Sequence, residues 1–413
     1  MENKKKTPFS FLRNREKENA DSEHTQDVIS AAEYAELDGD DKKLWAPIPP
    51  KLEKISKVAI ICHMICAASG LMYLLAIIST PFANFFNRYV ASVFRFILAK
   101  ITGIFPFSLA EGILILAPII LITIAIYVGK HRCMSWRTTG VAIVNILSVI
   151  SIIASLFCLT LGTGYRTDTL DKKLNIKTSA VAATDLYNSA VYLANMANAE
   201  LDSIGFDEED FSVMPYGIDE MNDKLIAAYD KFCEQYDVID NYRSRLKPVM
   251  LSKAMSYTHI TGVYSFFTGE ANINVDFPDY TIPFTAAHEL AHQRGIAREN
   301  EANMIAFLVC INSDDAYIRY SAYVNMYEYV ANALYSADSS LYTKAFGSLD
   351  YNIRAEQVAY NKFFKQYAHS VSSKVSSAVN DTYLKSQGTE GRVSYGMVVD
   401  LTVAYLKNQN KIS

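Results

Sequence analysis

The sequence predicts a membrane protein that is mainly α-helical: three transmembrane helices, then a water-exposed, mostly helical domain carrying one small β-hairpin. Three observations predict it. Apolar runs of spanning length occur at Val58–Ile78, Gly112–Gly129 and Thr139–Leu161, and a bilayer is crossed by about 20 helical apolar residues. Charge is partitioned: residues 58–164 hold six basic groups and one acid, Glu111, whereas the stretch after residue 164 holds 22 basic and 31 acidic groups. In that later stretch, helical periodicity gives way once to β-favouring residues, just before a helix that bears two of the seven histidines.

Residues 1–57 contain Lys4, Lys5 and Lys6, a long polar and acidic run, and then Pro47, Pro49 and Pro50. So little apolar surface cannot offset the entropy of ordering, and the segment is expected to be a disordered cytoplasmic tail. No signal-peptide pattern opens the chain, so this tail is expected to be retained.

The transmembrane region is expected over 58–164. Lys51, Lys54 and Lys57 precede the first run, and Lys130, Arg132 and Arg137 lie between the second and third. Basic flanks stay on the cytoplasmic side. This orientation puts the N-terminus inside, the loop 79–111 outside, and the domain 165–413 outside the cytoplasmic membrane. Arg88, Arg95 and Lys100 in the outer loop run against it. Aromatic and aliphatic residues at helical spacing separate these cations, so the loop is read either as a helix in the outer interface or over the domain, or as a solvated connector.

In the domain, Ala180–Leu201 and Asp219–Tyr236 carry apolar residues at three-and-four spacing and read as helices. Residues Ile260–Phe267 and Ala271–Asp276 favour strands, joined through Thr268-Gly269-Glu270. Such a hairpin either supplies an edge on which an extended peptide adds as a further strand or is purely structural. Helices are then predicted over Ala316–Tyr335 and Ala355–Ala378, with an apolar helix ending at Leu406. The net acidity after residue 164 excludes nucleic acid as a natural partner, since its recognition draws on clustered Lys and Arg. The six cysteines show neither a disulfide framework nor a Cys-x-x-Cys zinc pattern.

The chemistry points to His288-Glu289-x-x-His292. Residues four apart share a helix face, so both imidazoles can hold one Zn²⁺, with Glu289 placed to take a proton from a water bound there. A catalytic zinc needs a third protein ligand and an open position. Gly295 breaks the helix and lets the chain return with Glu299, Glu301 and Asn303. Glu299 and Asn303 share a face of the next helix, which favours Glu299 as third ligand and Asn303 as the residue that orients a ligand; Glu301 stays open as the alternative. Tyr320, Tyr395 and Arg319 are candidates to stabilise the oxyanion. The charged residues around the motif, among them Asp276, Asp279, Arg294 and Arg298, exclude a site inside the bilayer.

Several motifs carry a resemblance: Phe105-Pro-Phe-Ser-Leu-Ala-Glu-Gly112, Gly162-Thr-Gly-Tyr-Arg166, Thr268-Gly-Glu-Ala-Asn-Ile-Asn274, His288-Glu-Leu-Ala-His-Gln-Arg-Gly295, Glu299-Asn-Glu-Ala-Asn303, Arg319-Tyr-Ser321, Asn380-Asp-Thr-Tyr-Leu-Lys385 and Ser394-Tyr-Gly396. From about residue 55 onward the chain resembles an uncharacterised bacterial membrane family, a domain of unknown function regarded as HExxH zinc peptidases. The Glu299-x-x-x-Asn303 spacing is similar to the Glu-x-x-x-Asp of gluzincins such as thermolysin and the membrane CAAX-processing type. The resemblance implies a zincin-like (gluzincin) α+β catalytic domain, Glu299 as a zinc ligand and Asn303 as a partner of a ligating histidine. Asn303 departs from the acidic residue of that pattern and implies a less basic histidine. The expected function is a membrane-anchored zinc metallopeptidase acting on a peptide or protein substrate. The competing reading is a non-catalytic membrane sensor or scaffold that keeps the metallopeptidase fold; a third is a structural membrane protein without metal.

Overall fold

The computed structural model describes residues 54–130, 136–368, 370–391 and 397–413. All but the end of the predicted N-terminal tail lies outside the described residues, as do Arg132, Tyr395 and the Ser394-Tyr-Gly396 motif. The described chain is mostly helical.

The membrane-length helices open it. The first four long helices are α1 (Lys57–Ile78), α2 (Ser92–Gly103), α3 (Leu109–Lys130) and α4 (Trp136–Thr160). Among the described residues two stretches are long and apolar enough to cross a membrane, Lys57–Ile78 and Thr139–Thr160, where the sequence predicts three. The second predicted span falls in α3, whose apolar stretch among the described residues is the shorter Leu109–Ile124. Its beginning is tied to polar partners. Glu270 accepts hydrogen bonds from the free amides of Leu109 and Ala110 at 3.0 and 2.8 Å, capping the helix, and Glu111 accepts from the Met250 and Leu251 amides at 2.9 and 2.8 Å.

The chain divides into two compact units, Met1–Ile61 with Pro118–Val149, and Cys62–Ala117 with Ile150–Ser413. In the first, Asn145 of α4 accepts from the Ser56 amide at 2.8 Å and donates to the Lys54 carbonyl at 3.3 Å, fastening the start of α1 to α4.

The second unit carries the core. Its further helices are α5 (Ala183–Glu200), α6 (Ile218–Gln235), α7 (Ile282–Gln293), α8 (Glu299–Ile311), α9 (Ala316–Ala337), α10 (Tyr351–Phe364), α11 (Val371–Ser386) and α12 (Val398–Asn408). Helix α8 is the axis. From Glu301 to Cys310 it is buried on every side, packed among α6, α7, α9 and α12. An all-round apolar helix of this length is stable only inside such a shell. Helix α9 starts where Asp315 caps the free amides of Tyr317 and Ile318. Where the sequence predicts one helix over Ala355–Ala378, α10 and α11 are separate, because Ser370 caps a new start by accepting from the Ser373 amide at 3.1 Å.

The predicted hairpin forms as β4 (Gly262–Ser265) antiparallel to β5 (Glu270–Ile273), turning at Gly269 with φ of 71°. Two pairings had no signal in the sequence: β1 (Gly205–Phe206) with β2 (Ser212–Val213), and β3 (Lys247–Pro248) parallel to β5. The order β3-β5-β4 leaves β4 at an edge, packed on α7.

The segment 79–111 is helical over 80–103 and is fixed to the domain by its cations. Arg88 pairs with Asp237 and donates to the Ile239 carbonyl, and Lys100 donates to the Arg243 carbonyl at 3.0 Å. Arg95, 1% exposed, pairs with Asp240 at 2.7 Å and also donates to Asn87 and to the Thr160 carbonyl. The three charges that run against the predicted orientation are therefore occupied by the domain. The same segment exposes Tyr89, Val93, Ile97, Ile101 and Ile104.

Candidate metal centre

Helix α7 begins with Pro283 in its first turn, where a missing N–H costs nothing. It ends at Gly295, whose φ of 98° suits a residue without a side chain. The Ile296 amide folds back to the Ala291 carbonyl at 3.1 Å, and α8 then starts at Glu299, with Glu299 and Glu301 in its first turn. This reversal carries Glu299 over the last turn of α7.

Three side chains converge there. His288 Nε2 and His292 Nε2 are 3.0 Å apart, and Glu299 Oε2 lies 3.2 Å from the first and 3.3 Å from the second. A tetrahedral site with bonds of about 2.0 Å has ligand-to-ligand edges of about 3.3 Å, so the triangle has the size of one face of such a site. The tautomers are fixed from behind. His292 Nδ1 lies 2.7 Å from the Ile296 carbonyl, which can only accept, so Nδ1 carries the proton and the Nε2 lone pair faces the triangle. His288 Nδ1 lies 2.7 Å from Asn303 Oδ1, which orients the second ring in the same way. With both rings neutral, three acceptors face one another, an arrangement that repels unless a cation, a proton or a metal ion, sits between. Burial works against a charged His292, yet the Glu299 carboxylate outweighs it and lifts its pKa to about 9. Burial would likewise raise Glu299, but the two histidines hold it well below the usual carboxylate range. The residues fit a small divalent ion by size, by tautomer and by charge.

Glu289 lies beside this group, 4% exposed, its Oε2 buried without a hydrogen-bond partner in the protein. Burial pushes its pKa up, against the pull of His288 and His292. Room for it comes from Gly262 of β4: a Cβ there would stand 2.6 Å from Glu289 Oε1 and 2.7 Å from its Cγ. Both groups open on a cavity of about 1100 Å³, bordered by the edge strand β4 and by α9 and α11. That volume is large enough for several peptide residues.

The other predicted residues separate. Glu301 faces away from the cluster, accepting from the Leu170 amide at 3.0 Å and from Arg298 at 2.9 Å. Asn303 stands behind His288, as its spacing from Glu299 suggests. Tyr320 does not line the cavity: it is fully buried and donates to Glu356 at 2.5 Å, because position 320 falls on the core face of α9. Arg319 is engaged by Glu200 through two hydrogen bonds of 2.7 Å. Tyr395 lies outside the described residues.

Two other tyrosines do reach the cavity. Tyr329 of α9 accepts from Asn303 Nδ2 at 3.4 Å, and Tyr383 of α11 lies 3.3 Å from the Tyr165 hydroxyl. Burial raises both pKa values to about 12, so each hydroxyl keeps its proton through the neutral range. Tyr329 had a signal in the sequence: Asn325, Glu328, Tyr329 and Asn332 form a polar stripe at three-and-four spacing on a largely buried helix. Tyr383 lies in the Asn380–Lys385 motif.

The profile of a protein family of unknown function, DUF3810, covers residues 84–403 of the chain. The chain belongs to the DUF3810 family. The DUF3810 match begins inside the helical segment after α1, later than the resemblance from about residue 55, and takes in the whole cluster and its cavity. No curated protein and no solved structure matches the chain. Several of the motifs singled out in the sequence prove to be fastenings. Ser108 donates to Asn272 at 2.6 Å, and Arg298 binds the carbonyls of Tyr165 and Thr167 at 2.9 and 2.8 Å.

Proposed function

We propose that this protein is a membrane-anchored, zinc-dependent metallopeptidase with a gluzincin-like site, in which His288, His292 and Glu299 hold the metal. The observation that carries the reading is Glu289: a buried carboxylate with one unpartnered oxygen, one helical position from a ligand, in space kept open by a glycine. A structural metal site has no use for such a group. Zinc held here would supply Lewis acidity, polarising a peptide carbonyl and lowering the pKa of water. Glu289 would take the proton of the attacking water and deliver it to the leaving amine. The substrate backbone lies extended along the free edge of β4, which supplies main-chain hydrogen bonds and makes few demands on sequence. Tyr329 or Tyr383 donates to the carbonyl oxygen as charge develops on it. Asn303 keeps His288 in the ligating tautomer without adding negative charge.

The second reading, a sensor or scaffold, draws support from the same ligand set, which binds without turnover equally well. Glu289→Gln separates the two: turnover disappears and metal stays if the site is catalytic, whereas a sensor's ligand response persists.

In this reading the chain crosses the cytoplasmic membrane three times, through α1, α3 and α4, and the segment 79–111 lays its exposed apolar residues on the outer face of the bilayer. The basic residues that flank α1 and separate α3 from α4 support this topology. Span number decides sidedness, because an odd number puts the two termini on opposite faces. A reporter fused after Ser413 is expected to act outside the cytoplasm; activity inside the cytoplasm would mean an even number of spans.

A further inference from the structure

The cavity has a second polar region, of which the proposed chemistry uses Tyr329 alone. Helix α9 turns Asn325, Glu328, Tyr329 and Asn332 toward it, and Tyr329 links this stripe to the centre through Asn303 and then His288. Glu328 receives one hydrogen bond, from the Tyr280 hydroxyl to Oε1 at 3.0 Å, and Oε2 has none. The Asn325 amide nitrogen is fully engaged, donating to the Tyr280 and Ser321 carbonyls at 3.2 and 2.8 Å. Its orientation is thereby fixed, and Oδ1 is left as an acceptor without a partner. Residues 325 and 328 are three apart, on one face of the helix. Among the described residues that line the cavity there is no lysine or arginine. A desolvated carboxylate without a cation is costly, and burial raises the Glu328 pKa to about 7.

We propose that Asn325 and Glu328 form a subsite for a protonated amine of the peptide substrate. Resting on the peptidase reading, this names the substrate class: peptides that carry a lysine or arginine side chain, or a free α-ammonium group, near the bond to be cleaved. The cation brings the donors that Glu328 Oε2 and Asn325 Oδ1 lack, and it replaces the countercharge that the cavity wall does not supply. Tyr280, holding Oε1, aims the carboxylate.

The test uses full-length, zinc-loaded Glu289→Gln protein in detergent, so that bound peptides are not consumed. Peptide mixtures differing only in lysine or arginine against norleucine, and in free against acetylated amino termini, are incubated with it, and retained peptides are read by mass spectrometry. Amine-bearing members are expected to be retained about tenfold to a hundredfold over their neutral counterparts, the size of a charged hydrogen bond. The acetylated set tells an α-ammonium from a side chain. In the double variant Glu289→Gln/Glu328→Gln, which keeps an oxygen to accept from Tyr280, the preference should vanish. Equal retention of cationic and neutral peptides, or a preference that survives in the double variant, overturns the subsite. The peptidase reading is judged separately, by whether wild-type protein cleaves the same mixtures. Cleavage without amine preference removes the subsite alone; amine-selective retention without cleavage removes the peptidase alone.

Discussion

Glu289→Gln is expected to lower peptide turnover by about a hundredfold to ten-thousandfold, the contribution of a positioned general base, with metal content unchanged. The amide has the shape of the carboxylate but cannot accept a proton at neutral pH. Since Oε2 has no partner in the protein, the substitution breaks no hydrogen bond of that atom, and burial without charge removes a desolvation cost. The folded protein should therefore be no less stable in a thermal melt. A loss of zinc in this variant, or turnover within a few fold of wild type, would detach Glu289 from the chemistry.

The second large effect is one of stability. Arg95→Met is expected to destabilise the protein by about 3–5 kcal/mol, the cost of breaking one half of a buried ion pair. Arg95 is 1% exposed, and removing it leaves Asp240, 8% exposed, with only the longer 3.8 Å pairing to Arg88. The consequences reach the metal centre. The guanidinium lies directly under Gly295, where a Cβ would come within 2.6 Å of Arg95 Nη2, and Asn87, which Arg95 also holds, donates to the Gly295 carbonyl at 3.1 Å. This is the turn that carries Glu299 back over α7. The variant should melt earlier and lose zinc more readily to a chelator. The double variant Arg95→Met/Asp240→Leu should recover part of the stability, since it leaves no unpaired charge. Melting unchanged from wild type would contradict this account of the pair.

The local chemistry was legible in the sequence because its signals are short-range. A four-residue spacing puts His288 and His292 on one face, Gly295 marks the reversal, and a second four-residue spacing places Asn303 behind the ligands. The hairpin before α7 was legible for the same reason. What escaped the sequence depends on contacts far apart in the chain. Glu299 and Glu301 are two residues apart, and their separation rests on Arg298 and the Leu170 amide, 131 residues from Glu301. Tyr320 and Tyr329 sit on the same tyrosine-rich helix, yet the packing of α9 sends one to Glu356 and the other to Asn303. The three cations at 88, 95 and 100 looked like topology signals and are ion-pair and hydrogen-bond partners of the domain. The start of α3 falls in the predicted outer loop, ahead of the apolar run from Gly112, and its amides are capped by Glu270, some 160 residues away.

The central claim is that His288, His292 and Glu299 hold a metal, and the most direct measurement is the metal content of the purified protein after zinc is supplied, beside a His288→Ala control. About one zinc per chain, lost in the control, is the expected result, since two remaining ligands do not make the three of a catalytic site. A wild-type protein that takes up no metal, or a control that keeps it, would contradict the claim.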